Sequence, residues 1–131
     1  MNEANDNAAE PHPQAEYFGH LAQGRFMIQR SASSGEHVFY PRVVAPRTGA
    51  GDLEWVPASG RGIVHATTVI RPKPPQQPYN VALVMLAEGP RMMSRVEGVA
   101  PDAVRIGMAV RARIDTSGEQ PIVVFDPEPA A

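Results

Sequence analysis

A chain of 131 residues, 43% apolar and 20% charged, has enough hydrophobic material for one ordinary domain and too little charge for a disordered one. Its formal net charge of −2 argues against a simple, strongly basic nucleic-acid binder. Cysteine is absent, which excludes disulfides, thiolate zinc sites, thiol nucleophiles and iron–sulfur clusters.

No apolar run approaches the roughly 18 residues of a membrane span. The first residues are acidic and polar, without a positive segment leading into an apolar one, so no signal peptide is expected. The expectation is a soluble, cytoplasmic protein of bacterial style with no membrane partner. Charge is unevenly placed. Residues 1–20 and 115–131 each hold four acids and no Lys or Arg. All 12 basic residues lie between Arg25 and Arg113, against six acids there. A basic middle suits an anionic partner such as a phosphorylated cofactor or an acidic protein face. It is equally the pattern of a solvated surface rich in arginine.

In chain order, residues 1–13 read as a disordered tail: polar, Asn/Ala/Glu-rich and ending in proline. Gln14 to Gln23 fits a short helix with Tyr17, Phe18 and Leu21 on one stripe, and Gly24 is placed to end it. Ten residues do not hold a helix alone, so this one must dock. Arg25–Arg30 and His37–Tyr40 read as short strands around the polar turn Ser31–Gly35. Val43–Asp52 is a loop, and Leu53–Val56 is a third short strand with the only tryptophan, Trp55. These small strands have little core of their own.

Five further segments follow, separated by turn signals: Gly62–Ile70, Val81–Ala87, Arg91–Glu97, Met108–Ile114 and Ile122–Phe125. That is the pattern of a small all-β barrel. Arg71–Pro78 holds four prolines in eight residues and must be a loop between two long strands. Asp102–Gly107 has room for one helical turn.

Catalytic constellations are missing. Ala58-Ser59-Gly60 lacks the first glycine of a nucleophile elbow. His12, His20, His37 and His65 form no metal-binding spacing. Gly60-Arg61-Gly62 precedes a strand, not the helix that a dinucleotide fingerprint must open, and reads as a turn or bulge. Lys73 sits between prolines in a loop that gives no means of lowering its pKa. Small barrels often bind single-stranded nucleic acid by aromatic stacking, but only Tyr79 lies in the first two barrel strands. Phe39, Tyr40 and Trp55 read as packing between the small strands and their neighbour, or as a lip that grips a ligand.

The order of pieces is a short aromatic helix, a small strand lobe, a linker and a five-stranded barrel. It resembles the acyl-CoA-associated zinc-ribbon/OB-fold family catalogued as domain of unknown function 35. The runs that carry the resemblance are Gln29-Arg30, Phe39-Tyr40-Pro41-Arg42 and Leu53 through Gly62 (Leu-Glu-Trp-Val-Pro-Ala-Ser-Gly-Arg-Gly). Later runs are Pro78-Tyr79-x-Val81-Ala82-Leu83-Val84, Glu88-Gly89-Pro90-Arg91-Met92-Met93-Ser94 and Arg105-Ile106-Gly107-Met108-x-Val110. The resemblance implies a mainly β chain: an N-terminal helix and rubredoxin-like ribbon lobe over 14–57, an OB-fold barrel over 58–127, and tails at 1–13 and 128–131.

There is one large departure. Two Cys-x-x-Cys pairs usually hold a tetrahedral zinc in this family. The corresponding positions here are Ser31 and Ser34, then Ala45 and Thr48, with the ten-residue spacing kept and all four ligands gone. The expectation is a metal-free, degenerate ribbon whose lobe is held by packing of Phe26, Ile28, Phe39, Val43, Val44 and Trp55, or by a partner. The resemblance further implies a non-catalytic accessory subunit of a thiolase-like or other acyl-CoA enzyme in lipid metabolism. Should coenzyme A or acyl-CoA be touched, Arg42, Arg61 and Arg71 are the candidate phosphate contacts, because guanidinium suits phosphate by bidentate geometry. Phe39, Tyr40 and Trp55 are then the apolar lip. The rivals are an OB-fold single-strand nucleic-acid binder and a stand-alone thioesterase. Open strand edges suit a homodimer.

Overall fold

The computed structural model describes residues 12–128. The tails expected at 1–13 and 128–131 fall mostly outside them. One helix, two sheets and a single 3-10 turn make up the described chain. The fold is mainly β and contains an OB-fold.

The helix α1 (Pro13–Ala22) starts on proline, whose fixed φ and missing N–H suit the first helical position. It buries Tyr17 and Leu21, one turn apart, as the stripe requires. It stops at Gly24, which takes φ +80 and donates its N–H to Leu21 O, with Arg25 N bonding back to His20 O, both at 2.9 Å. A left-handed glycine just past the end satisfies carbonyls that would otherwise lack a donor.

Strands β1 (Met27–Ser31), β2 (His37–Val38) and β3 (Leu53–Pro57) form the small sheet in the order β2-β1-β3, all antiparallel. β2 is shorter than the His37–Tyr40 run anticipated, because Phe39 and Tyr40 leave the sheet to pack beside α1. The loop after β2 is clamped instead by the buried Gln29 side chain. Its Nε2 donates to Arg42 O at 2.8 Å, and its Oε1 accepts from Arg42 N at 2.6 Å. Beyond that clamp Ala45 turns inward, while Val43 and Val44 are 53% and 44% exposed. The expectation that these two valines pack the lobe is therefore wrong. Tyr17 and Leu21 from α1 take the place assigned to them, beside Ile28.

The larger sheet runs β6-β5-β4-β7-β8, from β4 (Arg61–Ile70), β5 (Tyr79–Leu86), β6 (Arg91–Ser94), β7 (Ala109–Asp115) and β8 (Ile122–Pro127). β4 pairs with β7 only over Arg61–Ile63 but with β5 along Gly62–Ile70, with a register shift between Val64 and Ala66. One long strand thus serves both halves of the barrel, and the bulge lets it bend between them. The proline-rich loop joins the far end of β4 to the start of β5, where Ile70 pairs with Tyr79.

Closure comes from β8. The run expected to continue to Glu97 leaves β5 after Ser94, and Val96 bridges Phe125 in parallel. Phe125 N donates to Arg95 O at 3.0 Å and Glu97 N donates to Phe125 O at 2.7 Å. Asn80, buried, pins the same junction. It accepts from Val96 N at 3.0 Å and donates to Thr67 Oγ1 at 2.6 Å. A buried amide so fully paired avoids the desolvation cost of an orphan. The helical turn expected within Asp102–Gly107 is a 3-10 turn over Pro101–Ala103.

Gly60 and Gly62 do what a strand entry needs. Gly60 takes φ +83. A Cβ on Gly62 would lie 2.6 Å from Val84 Cγ1 and 3.0 Å from Met85 O, so only glycine lets β4 approach β5 this closely. The core is continuous. Tyr17, Leu21 and Ile28 join Val64, Val84, Leu86, Val110 and Phe125 in one buried cluster.

Candidate functional site

A concave, mostly apolar cavity opens where α1, the loop after β2 and the β6/β8 side of the barrel meet. Its volume is about 440 Å³, within the range of ordinary ligand and anchor pockets. One wall is aromatic. The Tyr17 ring packs edge-on to Phe18 at 5.2 Å and to Phe39 at 5.5 Å between centroids, and Phe39 meets Tyr40 at 5.3 Å. Edge-to-face pairs of this kind fix the rings rigidly. The other wall is Arg91, Met92 and Met93 from β6 and Ile122 and Val123 from β8. A second cavity of about 260 Å³ shares Met93, Ile122 and Val123 and extends along the barrel to Tyr79.

The polar equipment is sparse and one-signed. Tyr17 is buried, and its hydroxyl makes no hydrogen bond among the described residues. Burial pushes that hydroxyl well above the ordinary phenol range, and neighbouring Tyr40 adds to the shift. Arg91 is exposed and forms no ion pair among the described residues. No carboxylate lines either cavity. A ring of aromatics often holds a cation, but Arg91 at the rim repels one. The cavity is built to grip an apolar group beside a negative one.

The residues singled out from sequence do not converge. Phe39 and Tyr40 line the cavity. Trp55, on β3, is committed elsewhere: its Nε1 donates to Glu16 Oε1 at 2.7 Å and its ring meets His20 at 5.2 Å, tying the small sheet to α1. The Arg42 side chain is exposed beyond the Gln29 clamp. Arg61 begins β4 beside a cavity near Ile63 and Met85. Arg71 follows the last residue of the same strand. Arg61 and Arg71 thus sit at opposite ends of β4, along a contour of about 30 Å that bends at the bulge. Sequence reading missed Tyr17 as a lining group, and with it Arg91, Met93 and Ile122. Met93 and Ile122 are outward-facing apolar positions, and adjacent Met92-Met93 is a break in strand alternation that could have marked them.

The zinc set implied by the family resemblance does not fit this chain. Ser31 is fully buried and its Oγ donates to Asp52 Oδ1 at 2.8 Å. Ser33 N donates to Asp52 Oδ2 at 2.7 Å, and Ser34 N reaches Ser31 Oγ at 3.4 Å. Ala45 is buried and offers no donor atom. A Ser31 hydroxyl already spent on a carboxylate and the methyl group of Ala45 cannot replace thiolates. Among the described residues no cluster of three or more His, Asp or Glu could hold a metal ion. The Asp52 carboxylate instead ties the turn after β1 to the start of β3. Hydrogen bonds from Ser33 and then Ser31 hold its pKa below the ordinary carboxylate value.

Comparison with known proteins places the fold among relatives. The family model described as "ChsH2, C-terminal OB-fold domain" matches residues 55–115. The "Probable enoyl-CoA hydratase alpha subunit" of Thermomonospora curvata is 35% identical over 118 residues, covering 84% of this chain but 37% of that protein. The present chain thus spans little more than a third of that relative's length. The "DUF35 domain-containing scaffold protein" of Pyrococcus furiosus is 30% identical over 106 residues, with 77% of each chain covered. Among solved structures, a chain of the "Ltp2-ChsH2(DUF35) aldolase" superposes with a TM-score of 0.78 at 34% identity, covering 91% of this chain and 97% of that one.

Proposed function

This chain belongs to the DUF35 scaffold family, and on that premise we propose that it is a non-catalytic accessory subunit of an enzyme that processes acyl-CoA thioesters. The partner is a thiolase-like enzyme or a hydratase or aldolase of the same substrate class. Chemistry belongs to the partner; this chain contributes position, stability and contacts to the acyl-CoA. The observation that carries the reading is the near end-to-end superposition on the DUF35-containing aldolase. The relatives named as hydratase subunit and as scaffold point the same way.

In this reading residues 14–57 are a zinc ribbon that has lost its metal, and 58–127 are the OB barrel. The Asp52 clamp supports the first half of that statement, since it occupies the Ser31 hydroxyl at one of the old ligand positions. The arginines of the middle segment supply candidate contacts to CoA phosphates. Arg42 is the one nearest in sequence to the aromatic wall.

Affinity capture of the tagged chain from its native extract, followed by mass spectrometry, tests the reading. A stoichiometric acyl-CoA enzyme retained at moderate salt is the expected result. Recovery of nucleic acid with its processing proteins overturns it in favour of a single-strand binder, whose affinity would fall steeply with salt. Turnover of acyl-CoA by the purified chain alone overturns the non-catalytic part.

A further inference from the structure

The aromatic cavity between α1 and the β6/β8 side of the barrel has an apolar rim that nothing among the described residues covers. Met93 is 67% exposed, Tyr79 43%, Tyr40 41% and Ile122 39%. Shared lining residues make the two cavities one continuous groove. Scattered exposed hydrophobics are ordinary, but a contiguous set around a preformed concavity marks an interaction surface. Arg91 is the charged group there with no ion-pair partner among the described residues, whereas Arg95 is paired with Glu97 and Asp115.

We propose that this groove is the anchor site for the partner enzyme: a surface segment of that enzyme inserts a bulky aliphatic or aromatic side chain into the aromatic cavity and places an adjacent carboxylate on Arg91. The inference rests on the accessory-subunit reading and names where that docking happens. Three observations select this occupant. The lining is free of carboxylates, so the complementary charge must come from outside. A small molecule filling the aromatic cavity would leave Tyr79, which lines only the adjoining one, uncovered, whereas a polypeptide segment spans both. A second copy of this chain docking patch to patch would bring Arg91 toward its own symmetry mate with no acid in the patch to offset it. Rigid, edge-packed rings lose little conformational entropy when a side chain enters, which is the property of an interface hot spot.

The Tyr17 hydroxyl adds specificity. Tyr17 lines the aromatic cavity, where its hydroxyl is placed to donate to a backbone carbonyl or carboxylate of the inserted segment. An anchor lacking an acceptor there leaves a buried donor unpaired, which costs affinity.

The test uses the full chain and the acyl-CoA enzyme that the wild type recovers from native extract, identified and purified, with affinity read by titration. Met93→Asp and Arg91→Glu change exposed side chains, so both variants keep the wild-type circular dichroism and melting temperature. Each is expected to weaken the complex about tenfold or more, as central anchors do. Ile63→Asp, on another exposed apolar residue that lines neither cavity, is expected to stay within about twofold. If both groove variants bind like the wild type, the anchor site is overturned while the accessory role stands. If Met93→Asp instead breaks a homodimer and leaves enzyme binding intact, the groove belongs to a second copy and the proposal falls. If the wild type recovers no acyl-CoA enzyme, both readings fall together.

Discussion

At the residue scale, a few positions carry roles that cannot be shared. Asp52 accepts two hydrogen bonds from the 31–34 turn, and its pKa is lowered by them. A carboxyl whose folded pKa lies below its unfolded value contributes stability above the unfolded value, near pH 4, and loses that contribution as pH falls through the folded one. Unfolding followed by denaturant between pH 2 and pH 7 is therefore expected to show a wild-type decline at the acid end that Asp52→Asn flattens. Parallel curves for the two proteins would remove Asp52 from the clamp. Gly62 offers a simpler case. Its missing Cβ leaves room for Val84, and Gly62→Ala is expected to destabilise by about 1–3 kcal/mol through overpacking, read as a lowered urea midpoint with unchanged slope. The arginines divide by position. Because Arg61 and Arg71 sit at opposite ends of β4, the proposed CoA contact predicts that charge reversal to Glu at one of them, not both, weakens CoA binding in calorimetric titration. Equal losses at both would show that the effect is long-range charge and not contact.

At the element scale, α1 is short and depends on its docking. Ten residues with one buried stripe form no stable helix in isolation. Leu21, almost wholly buried, is its deepest contact with the common core. Leu21→Ala is expected to cost about 2–5 kcal/mol and, in the same variant, to loosen the cavity wall that Tyr17 supports. A cost below about 1 kcal/mol would mean that the helix rests on the sheets without bracing them. The elements themselves were largely legible. Alternation in Gly62–Ile70 and the prolines of Arg71–Pro78 fix the barrel's first hairpin, since no interior strand tolerates such a loop. The gap between what was legible and what was not lies in the pairings of distant segments. Met93 and Ile122 stand 29 positions apart, and only barrel closure brings β6 beside β8. Their joint exposure as a cavity wall has no local signature beyond the broken alternation at Met92-Met93. Val43 and Val44 failed for the opposite reason. Hydropathy places them inside, but the Gln29 clamp on Arg42 fixes the chain so that Ala45 points inward instead.

At the scale of the whole molecule, the sequence divides into a small lobe and a barrel, yet the buried cluster does not respect that division. Tyr17 and Leu21 from α1 and Ile28 from β1 belong to the same core as Val110 and Phe125 of the barrel. Trp55 adds a cross-tie, because its indole N–H is held by Glu16 of α1 while its strand pairs with β1. A ribbon stabilised by zinc could fold as an autonomous unit, since the metal supplies the free energy that a small lobe lacks. Without those ligands the lobe's stability must come from the shared core, so it should not survive loss of the barrel. Chemical unfolding is accordingly expected to be a single transition, with Trp55 fluorescence, which reports the helix–small sheet junction, coinciding with far-UV circular dichroism, which reports the sheets. Chelator should leave the midpoint unmoved. A Trp55 transition that precedes the loss of sheet signal would show that the lobe opens as an independent unit. A downward shift with chelator would show that a metal binds somewhere outside the Ser31 and Ala45 positions. Coincidence of both probes would instead mean that a contact made on the aromatic cavity, which draws its walls from α1, the small sheet's loop and the barrel, is felt by the entire fold. Binding energy spent at that groove would then raise the stability of every element at once by mass action, as the accessory role proposed above requires.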